Sequence, residues 1–203
     1  MKLLYTALIG LCVTSVSAQF TLNASNYGVI GTTYEHEHAF WGDTLDFPMG
    51  PNQSWDFLGV ISDQTRTITY FNPADSEAGS AVNGSTIVLR QEAEVEWSEV
   101  HYAQNSNQLE EVYVNLYDGC FLDYSEDPKT MMTFPVNYGD SMTDTFAGLV
   151  SFPGEGAWAR SGEQSIYLAG HGSLTLSYGT INNVMLVRVQ GEHLLQTRRL
   201  ILE

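Results

Sequence analysis

The chain has 203 residues, with 24 acidic side chains against 8 basic ones and a formal net charge of −16 at pH 7. A surface this acidic repels phosphate backbones and anionic lipid headgroups, so the composition excludes nucleic-acid binding through a basic surface. The length suits a single domain with ample material for a hydrophobic core.

Residues 1–18 predict a cleavable signal peptide. Lys2 supplies the positive start, residues 3–13 form an apolar run, and small residues follow as far as Ala18, after which cleavage is expected. The run is shorter than the about 20 residues that a membrane-spanning helix needs. We therefore expect an exported mature domain, residues 19–203, with no membrane span and a location outside the cell or at its surface.

Cleavage changes the cysteine content and the charge of the chain. The leader carries Cys12, so Cys120 is the single cysteine of the expected mature domain and cannot form an intramolecular disulfide. We expect Cys120 to pack as a small apolar side chain, with a reactive thiol as the alternative. The mature domain keeps 7 of the 8 basic residues against 24 acidic ones, a net charge of −17.

A histidine pair near the start of the mature domain is a candidate metal site. The order Tyr34, Glu35, His36, Glu37, His38 predicts, for a strand, that His36 and His38 share one face. Zinc or another borderline divalent ion would need further ligands, for which the other imidazoles are those of His101, His171 and His193. The alternative is a polar strand without a ligand, and no cofactor is otherwise expected.

Period-two alternation of apolar residues, with Gly, Asn, Asp and Pro at short intervals, recurs along the rest of the chain. This pattern predicts an all-β domain, an antiparallel β-sandwich or jelly-roll-like fold with no long helix after the signal peptide. The predicted strands include residues 65–71, 85–90, 131–136, 165–169, 173–178 and 183–189. The predicted turns are residues 72–79, 83–84, 127–128, 154–156, 170–172 and 178–179.

The middle of the chain carries the clearest alternation. Residues 91–102 predict one strand whose phase slips at Ser98 and Glu99, which indicates a β-bulge. Residues 112–117 predict the next strand, and residues 105–107 the hairpin turn between the two.

Acidic residues follow in the segment 123–127, Asp-Tyr-Ser-Glu-Asp. Oxygen-bearing side chains at alternate positions resemble the start of a calcium loop. The segment lacks the Gly and the distal Glu of an EF-hand, so any calcium site here would be irregular. The alternative is an acidic hairpin loop before Pro128.

Aromatic residues suggest a second kind of ligand. Trp41, Trp55, Trp97 and Trp158 could present rings to the apolar faces of sugars, although packing in the core is the alternative for each of them. We found no Gly-x-Ser-x-Gly nucleophile elbow and no His-Glu-x-x-His pair, which favours a non-enzymatic domain.

Two stretches of the chain resemble a known group of proteins. They are Gly-Pro-Asn-Gln-Ser-Trp-Asp-Phe at 50–57, and a longer pattern at 134–146, 170–176, 179–184 and 187–189 that begins Phe-Pro-Val-Asn-Tyr-Gly-Asp-Ser. Together they are similar to the N-terminal β-rich region of secreted Bacteroidetes proteins that end in a type IX secretion system sorting domain. In these stretches residues 139–141 read as a turn, and Trp55 and Phe57 as packed aromatics on one strand face.

The resemblance implies a bacterial lineage and an export route, and it carries over no catalytic residue. The sorting domain itself is not found in the sequence. Either the chain, which stops on apolar residues, is a fragment of a longer reading frame, or the protein stays in the periplasm or leaves by another route.

These observations favour an exported, non-enzymatic β-module that serves as an envelope or extracellular accessory or binding domain. A glycan or another surface polymer is a candidate partner. The alternative is a metal-dependent or polysaccharide-acting hydrolase.

Overall fold

The computed structural model describes residues 21–39, 48–58, 62–79 and 82–196. These ranges contain thirteen strands and two single-turn 3-10 helices, at Ala24–Asn26 and Pro73–Asp75. The strands are β1 (Thr21–Leu22), β2 (Thr33–Ala39), β3 (Gly50–Asp56), β4 (Ser62–Phe71), β5 (Ile87–Glu92), β6 (Trp97–Gln104), β7 (Gln108–Leu116), β8 (Phe121–Asp127), β9 (Lys129–Thr133), β10 (Val136–Asn137), β11 (Ser141–Phe152), β12 (Gly156–Leu176) and β13 (Gly179–Gln196).

Most strands belong to one large sheet with the order β13-β12-β11-β8-β7-β6-β5-β4-β2. Neighbours along this order pair antiparallel, and β9 adds to β7. The exception in direction is β3, which lies parallel to β12. A small separate sheet pairs β1 with β10. Strands that follow each other in the sequence therefore mostly lie next to each other, as short antiparallel connections allow.

The sheet curls so that distant strands pack against one another. The core cluster joins residues of β5, β6 and β7 to residues of β12 and of the segment around β10. Its buried members are Ile87, Tyr102, Leu109, Phe134, Val136, Ile166 and Leu168. Two layers of sheet thus enclose one apolar core, as in a β-sandwich.

The predicted fold class is confirmed. The described residues form an all-β, sandwich-like, predominantly antiparallel structure that contains no long helix. None of the helices in these ranges is long and apolar enough to cross a bilayer.

The prediction of one strand over residues 91–102 is wrong. β5 ends at Glu92 and β6 begins at Trp97, and the amide of Ala93 donates to the carbonyl oxygen of Glu96 at 2.8 Å across a tight turn. Val95 is 80% exposed at this turn. The alternation of apolar and acidic residues continued through the turn by coincidence. At the predicted bulge Ser98 and Glu99 pair regularly with Leu116 and Asn115, and the register of β6 against β7 shifts instead between His101 and Tyr102.

The predicted turn at residues 170–172 is also wrong, because β12 runs through it without a break. Its glycines are needed for close approach rather than for reversal of the chain. A Cβ on Gly172 would overlap the carbonyl oxygen of Gln53, and one on Gly170 would lie 3.0 Å from that of Gly50. Parallel β3 can therefore lie directly against β12.

Other turns form where the sequence predicts them. The Asn105 amide donates to the Gln108 carbonyl oxygen at 3.0 Å, and the Asn105 side chain accepts two further amides. At residues 139–141 the Asp140 carboxylate accepts the Asn137 amide at 2.7 Å, and Gly139 has a φ of +89°, which favours glycine. The predicted strand at 131–136 is divided into β9 and β10 by a cis Phe134–Pro135 bond.

Candidate functional site

Strand β6 sends its side chains to two different environments. Val100 and Tyr102 belong to the core cluster or pack against it. Glu99 and His101 alternate with them and face the opposite side of the sheet, yet both are 0% exposed. Glu77 and Ser85 contact Glu99 and His101 on this second face, and we call the stretch to which they belong, residues 72–79 and 82–86, the covering segment.

Glu99 binds this covering segment through its carboxylate. The amide of Glu77 donates to both carboxylate oxygens, at 3.0 and 3.4 Å, and Arg90 Nη1 lies 3.5 Å from Oε1. Burial raises the pKa of the Glu99 carboxyl, and the Glu77 amide and the Arg90 charge offset part of that rise. A buried carboxylate with these partners fixes the turn at Glu77 to the sheet.

His101 binds the same segment at its other end. Its Nδ1 lies 3.2 Å from Ser85 Oγ, and the ring meets Tyr113 edge to face, with centroids 5.6 Å apart. Nε2 is buried and has no hydrogen-bond partner among the described residues. Burial lowers the pKa of His101 to about 4, so the imidazole is neutral near pH 7.

Arg90 connects Glu99 to Trp97. Its guanidinium carbon lies 4.9 Å from the centroid of the Trp97 ring, within the range of a cation–π contact. Nε lies 3.0 Å from Glu92 Oε1, as an ion pair without hydrogen-bond alignment, and Nη1 lies 3.9 Å from Glu77 Oε1. The carboxylates of Glu77, Glu92 and Glu99 therefore surround the Arg90 guanidinium, which covers one face of the Trp97 ring.

Trp97 also lines a pocket of about 260 Å³, which we call the Trp97 pocket. The pocket lies where β4, β5, β6 and β7 run side by side, and its lining residues are Arg66, Gln91, Glu96, Trp97, Ser98, Leu116 and Tyr117. Gln91, Ser98 and Leu116 are direct cross-strand partners, so they form one row across its floor.

Two aromatic residues, Trp97 and Tyr117, line the Trp97 pocket. Tyr117 follows the end of β7, and its amide donates to the Trp97 carbonyl oxygen at 3.1 Å, which holds the two residues side by side. Tyr117 is 50% exposed. Arg66 is positioned by its Nε, which donates to Gln64 Oε1 at 2.9 Å. The lining of the pocket thus includes the half-exposed Tyr117 and the polar residues Gln91 and Ser98.

A second pocket, of about 210 Å³, lies under the covering segment. Its lining residues are Ala78, Val82, Asn83, Tyr113, Asp123 and Ser125. Tyr113 stacks on Phe121 with centroids 5.6 Å apart, so its ring is packed on one side. Asp123 uses Oδ1 to accept the Ser125 amide at 2.9 Å.

The structure does not test the histidine pair. His36 and His38 do lie in a strand, opposite Arg66 and Gln64 of β4, but their side chains lie outside the described part of the chain. The same holds for the side chain of His193. The pair therefore stays a prediction.

Two of the other candidate ligands have described side chains. His101 is enclosed as given above, and the His171 ring lies against Tyr138 with centroids 5.4 Å apart. Across the residues that the structure describes, no group of three His, Cys, Asp or Glu side chains could hold a metal ion.

The sequence leaves open an irregular calcium loop or an acidic hairpin loop at residues 123–127, and the structure forms neither of these at Asp123. These residues belong to β8, an extended strand that ends at Asp127. Successive side chains of a strand point to opposite faces, so the oxygens of neighbouring residues do not converge as they do in a loop.

The tryptophans divide between packing and exposure. Trp55 is 5% exposed, and its indole donates to the Pro48 carbonyl oxygen at 3.1 Å, which confirms a packing role. Trp97 and Trp158 are half-buried, and Trp41 lies outside the described residues. Cys120 is buried as expected, and burial raises the pKa of its thiol.

Most of the Trp97 pocket was not predicted. The sequence pattern places Trp97 inside one continuous strand and gives no link to Tyr117 or Arg66. No signal marks the turn at 93–96, because the alternation of apolar and acidic residues continues through it. A hairpin there would have brought residues 91 and 98 together.

Comparison with known proteins adds no relative, because no protein-family model, no curated protein and no solved structure matches the chain.

Proposed function

We propose that this protein is an exported, non-enzymatic β-module that binds a glycan or another surface polymer at the Trp97 pocket. The observation that carries the proposal is that the lining of the pocket joins Trp97 and the half-exposed Tyr117 to the polar residues Gln91 and Ser98. Sugar rings have apolar faces that pack on aromatic rings and hydroxyl groups that need hydrogen-bond partners. The pocket offers both kinds of contact at one place.

The shape of the pocket supports binding rather than hydrolysis. It lies on the surface of a sheet, and the carboxylate that lines it, Glu96, comes from an exposed turn. Glu99, the carboxyl whose pKa burial raises, is fully enclosed and bonded to the Glu77 amide. A glycosidase needs two carboxyl groups that both reach the scissile bond.

The sequence supports the place of action. The leader at residues 1–18 and the strong acidity favour export and work outside the cytoplasm. The resemblance to type IX secreted proteins favours the cell surface or the medium, or the periplasm if no sorting domain exists. In either place the module would act as an accessory domain that attaches to a polymer.

Native gel electrophoresis in gels that contain soluble polysaccharide tests the proposal. The probes are a β-glucan, a xylan, a mannan and a polygalacturonate, each against a gel without polymer. We expect at least one polymer to retard the protein, and the Trp97→Ala variant to bind about tenfold more weakly, which corresponds to about 1.4 kcal/mol. The Trp158→Ala variant is the matched control, because it removes a half-buried indole that does not line the pocket.

Retardation of the Trp158→Ala variant should equal that of the wild type. The proposal is overturned if no polymer retards the wild-type protein, or if both tryptophan variants lose binding equally. It is also overturned in its non-enzymatic part if the protein releases reducing ends from the polymer that it binds.

A further inference from the structure

Arg90 contacts an aromatic ring as well as the carboxylates that pair with its charge. Its side chain is 23% exposed and is enclosed by Glu77, Glu92 and Glu99, which come from the covering segment, β5 and β6. The same guanidinium lies over the Trp97 ring. A planar guanidinium can stack on an aromatic face while its edge faces carboxylates, which an ammonium group cannot do.

We propose that Arg90 is a positioning residue for the Trp97 pocket, which holds the Trp97 ring in place and links it to the covering segment through Glu99. This inference rests on the proposed function, because Arg90 affects binding only if the Trp97 pocket binds a polymer. The contacts from which it is argued all lie within the protein. An indole at the start of a strand has several rotamers open to it, and a cation fixed against one face restricts the ring.

Glu99 explains why Arg90 itself is fixed. A fully buried carboxylate is costly unless it is paired and hydrogen-bonded, and here the Glu77 amide and Arg90 are its partners. Movement of Arg90 away from Trp97 would weaken the pairing of the buried charge. The ring, the guanidinium and the turn at Glu77 should therefore move together or not at all.

The same contacts lead to the edge of the second pocket. Glu77 precedes Ala78, which lines the second pocket, while Trp97 lines the first. Trp97, Arg90, Glu99 and the Glu77 amide thus form a continuous chain of contacts along one face of the sheet, from a residue that lines the first pocket to the neighbour of one that lines the second. We expect a change at Arg90 to be detected at both ends.

The test uses Arg90→Lys, which keeps the charge and removes the planar group. The readouts are the indole N–H signal of Trp97 in ¹H–¹⁵N NMR spectra, assigned with Trp97→Phe, and the exchange rate of the Glu77 amide hydrogen. We expect the Trp97 signal to shift and broaden and the Glu77 amide to exchange faster, with the Trp55 and Trp158 signals unchanged. Binding to a retarding polymer should weaken about threefold to fivefold, the scale of a cation–π contact.

Arg160→Lys is the matched control, because Arg160 also lies over an aromatic ring, that of Tyr124, with 5.9 Å from its guanidinium carbon to the ring centroid. It should leave the Trp97 signal and the Glu77 amide as in the wild type. Glu92→Gln is a milder second variant, since the Glu92 side chain is half exposed. It should change the same signals in the same direction by a smaller amount.

An unchanged Trp97 signal in Arg90→Lys overturns this inference, and so does an equal change in Arg160→Lys. These measurements need no ligand, so they test the inference even if every polysaccharide gel is negative. Retardation of wild type and Arg90→Lys to the same degree would overturn the inference and leave the proposed function intact.

Discussion

The buried imidazole of His101 makes the stability of the protein depend on pH. Burial lowers the pKa of His101 from its ordinary 6.5 to about 4, so the unfolded chain binds a proton between these values and the folded chain does not. The contribution of His101 to the free energy of unfolding is therefore fully present above pH 6.5 and is lost as the pH falls toward 4. At 1.36 kcal/mol per pKa unit the loss is about 3 kcal/mol.

Glu99 has the opposite effect on stability. Burial raises its pKa above 4.5, so the folded chain holds a proton that the unfolded chain releases, and its contribution falls as pH rises. The variant His101→Gln separates the contributions of His101 and Glu99 to stability. The glutamine amide can keep the hydrogen bond to Ser85, and it does not titrate.

Urea unfolding at pH 7, 5.5 and 4.5 measures how the free energy of unfolding of each variant depends on pH. We expect wild type to lose more free energy of unfolding than His101→Gln on going from pH 7 to pH 4.5, whereas the control His171→Gln should follow wild type. Parallel curves for wild type and His101→Gln would show that His101 is not held neutral by the fold.

Some of these residue roles could be predicted and others could not. The packing of Trp55 and Cys120 was expected, since large aromatic and free thiol side chains favour the interior. The burial of Glu99 and His101 was not, because alternation assigns them to an outer face. An irregular segment covers that face, and such segments carry no periodic signal.

At the scale of the element, the approach of β3 to β12 depends on a glycine. The Cβ of an alanine at position 172 would overlap the Gln53 carbonyl oxygen and lie 2.6 Å from its carbon, so one backbone would have to move. We expect Gly172→Ala to lower the free energy of unfolding by about 3 kcal/mol, in the upper range for overpacking. Urea unfolding with the neighbouring Ser173→Ala as control checks this.

Ser173→Ala should stay within about 0.5 kcal/mol of wild type. Equal midpoints for wild type and Gly172→Ala would contradict the parallel pairing of the two strands. The sequence could not distinguish this role of Gly172 from a turn, because both need a missing side chain. The reason lies on β3, more than a hundred residues away in the chain.

At the scale of the molecule, local patterns predicted the class of fold and distant pairings did not. Alternation and turn residues were sufficient for an all-β sandwich-like structure, because antiparallel neighbours are mostly consecutive in sequence. The curl that brings β12 onto β5–β7 results from contacts between residues far apart. The Trp97 pocket depends on four strands of one sheet, so its composition could be seen only after their register was known.

Polymer binding at the Trp97 pocket, as we propose it, can be observed residue by residue. The most direct measurement is a ¹H–¹⁵N NMR titration with short oligosaccharides of the polysaccharide that retards the protein. We expect the largest shifts at the Trp97 indole and at the amides of Gln91, Ser98 and Tyr117, with saturation at one ligand per chain. Shifts centred on Tyr113 and Asp123 in the second pocket, or spread evenly over the surface, would contradict the account.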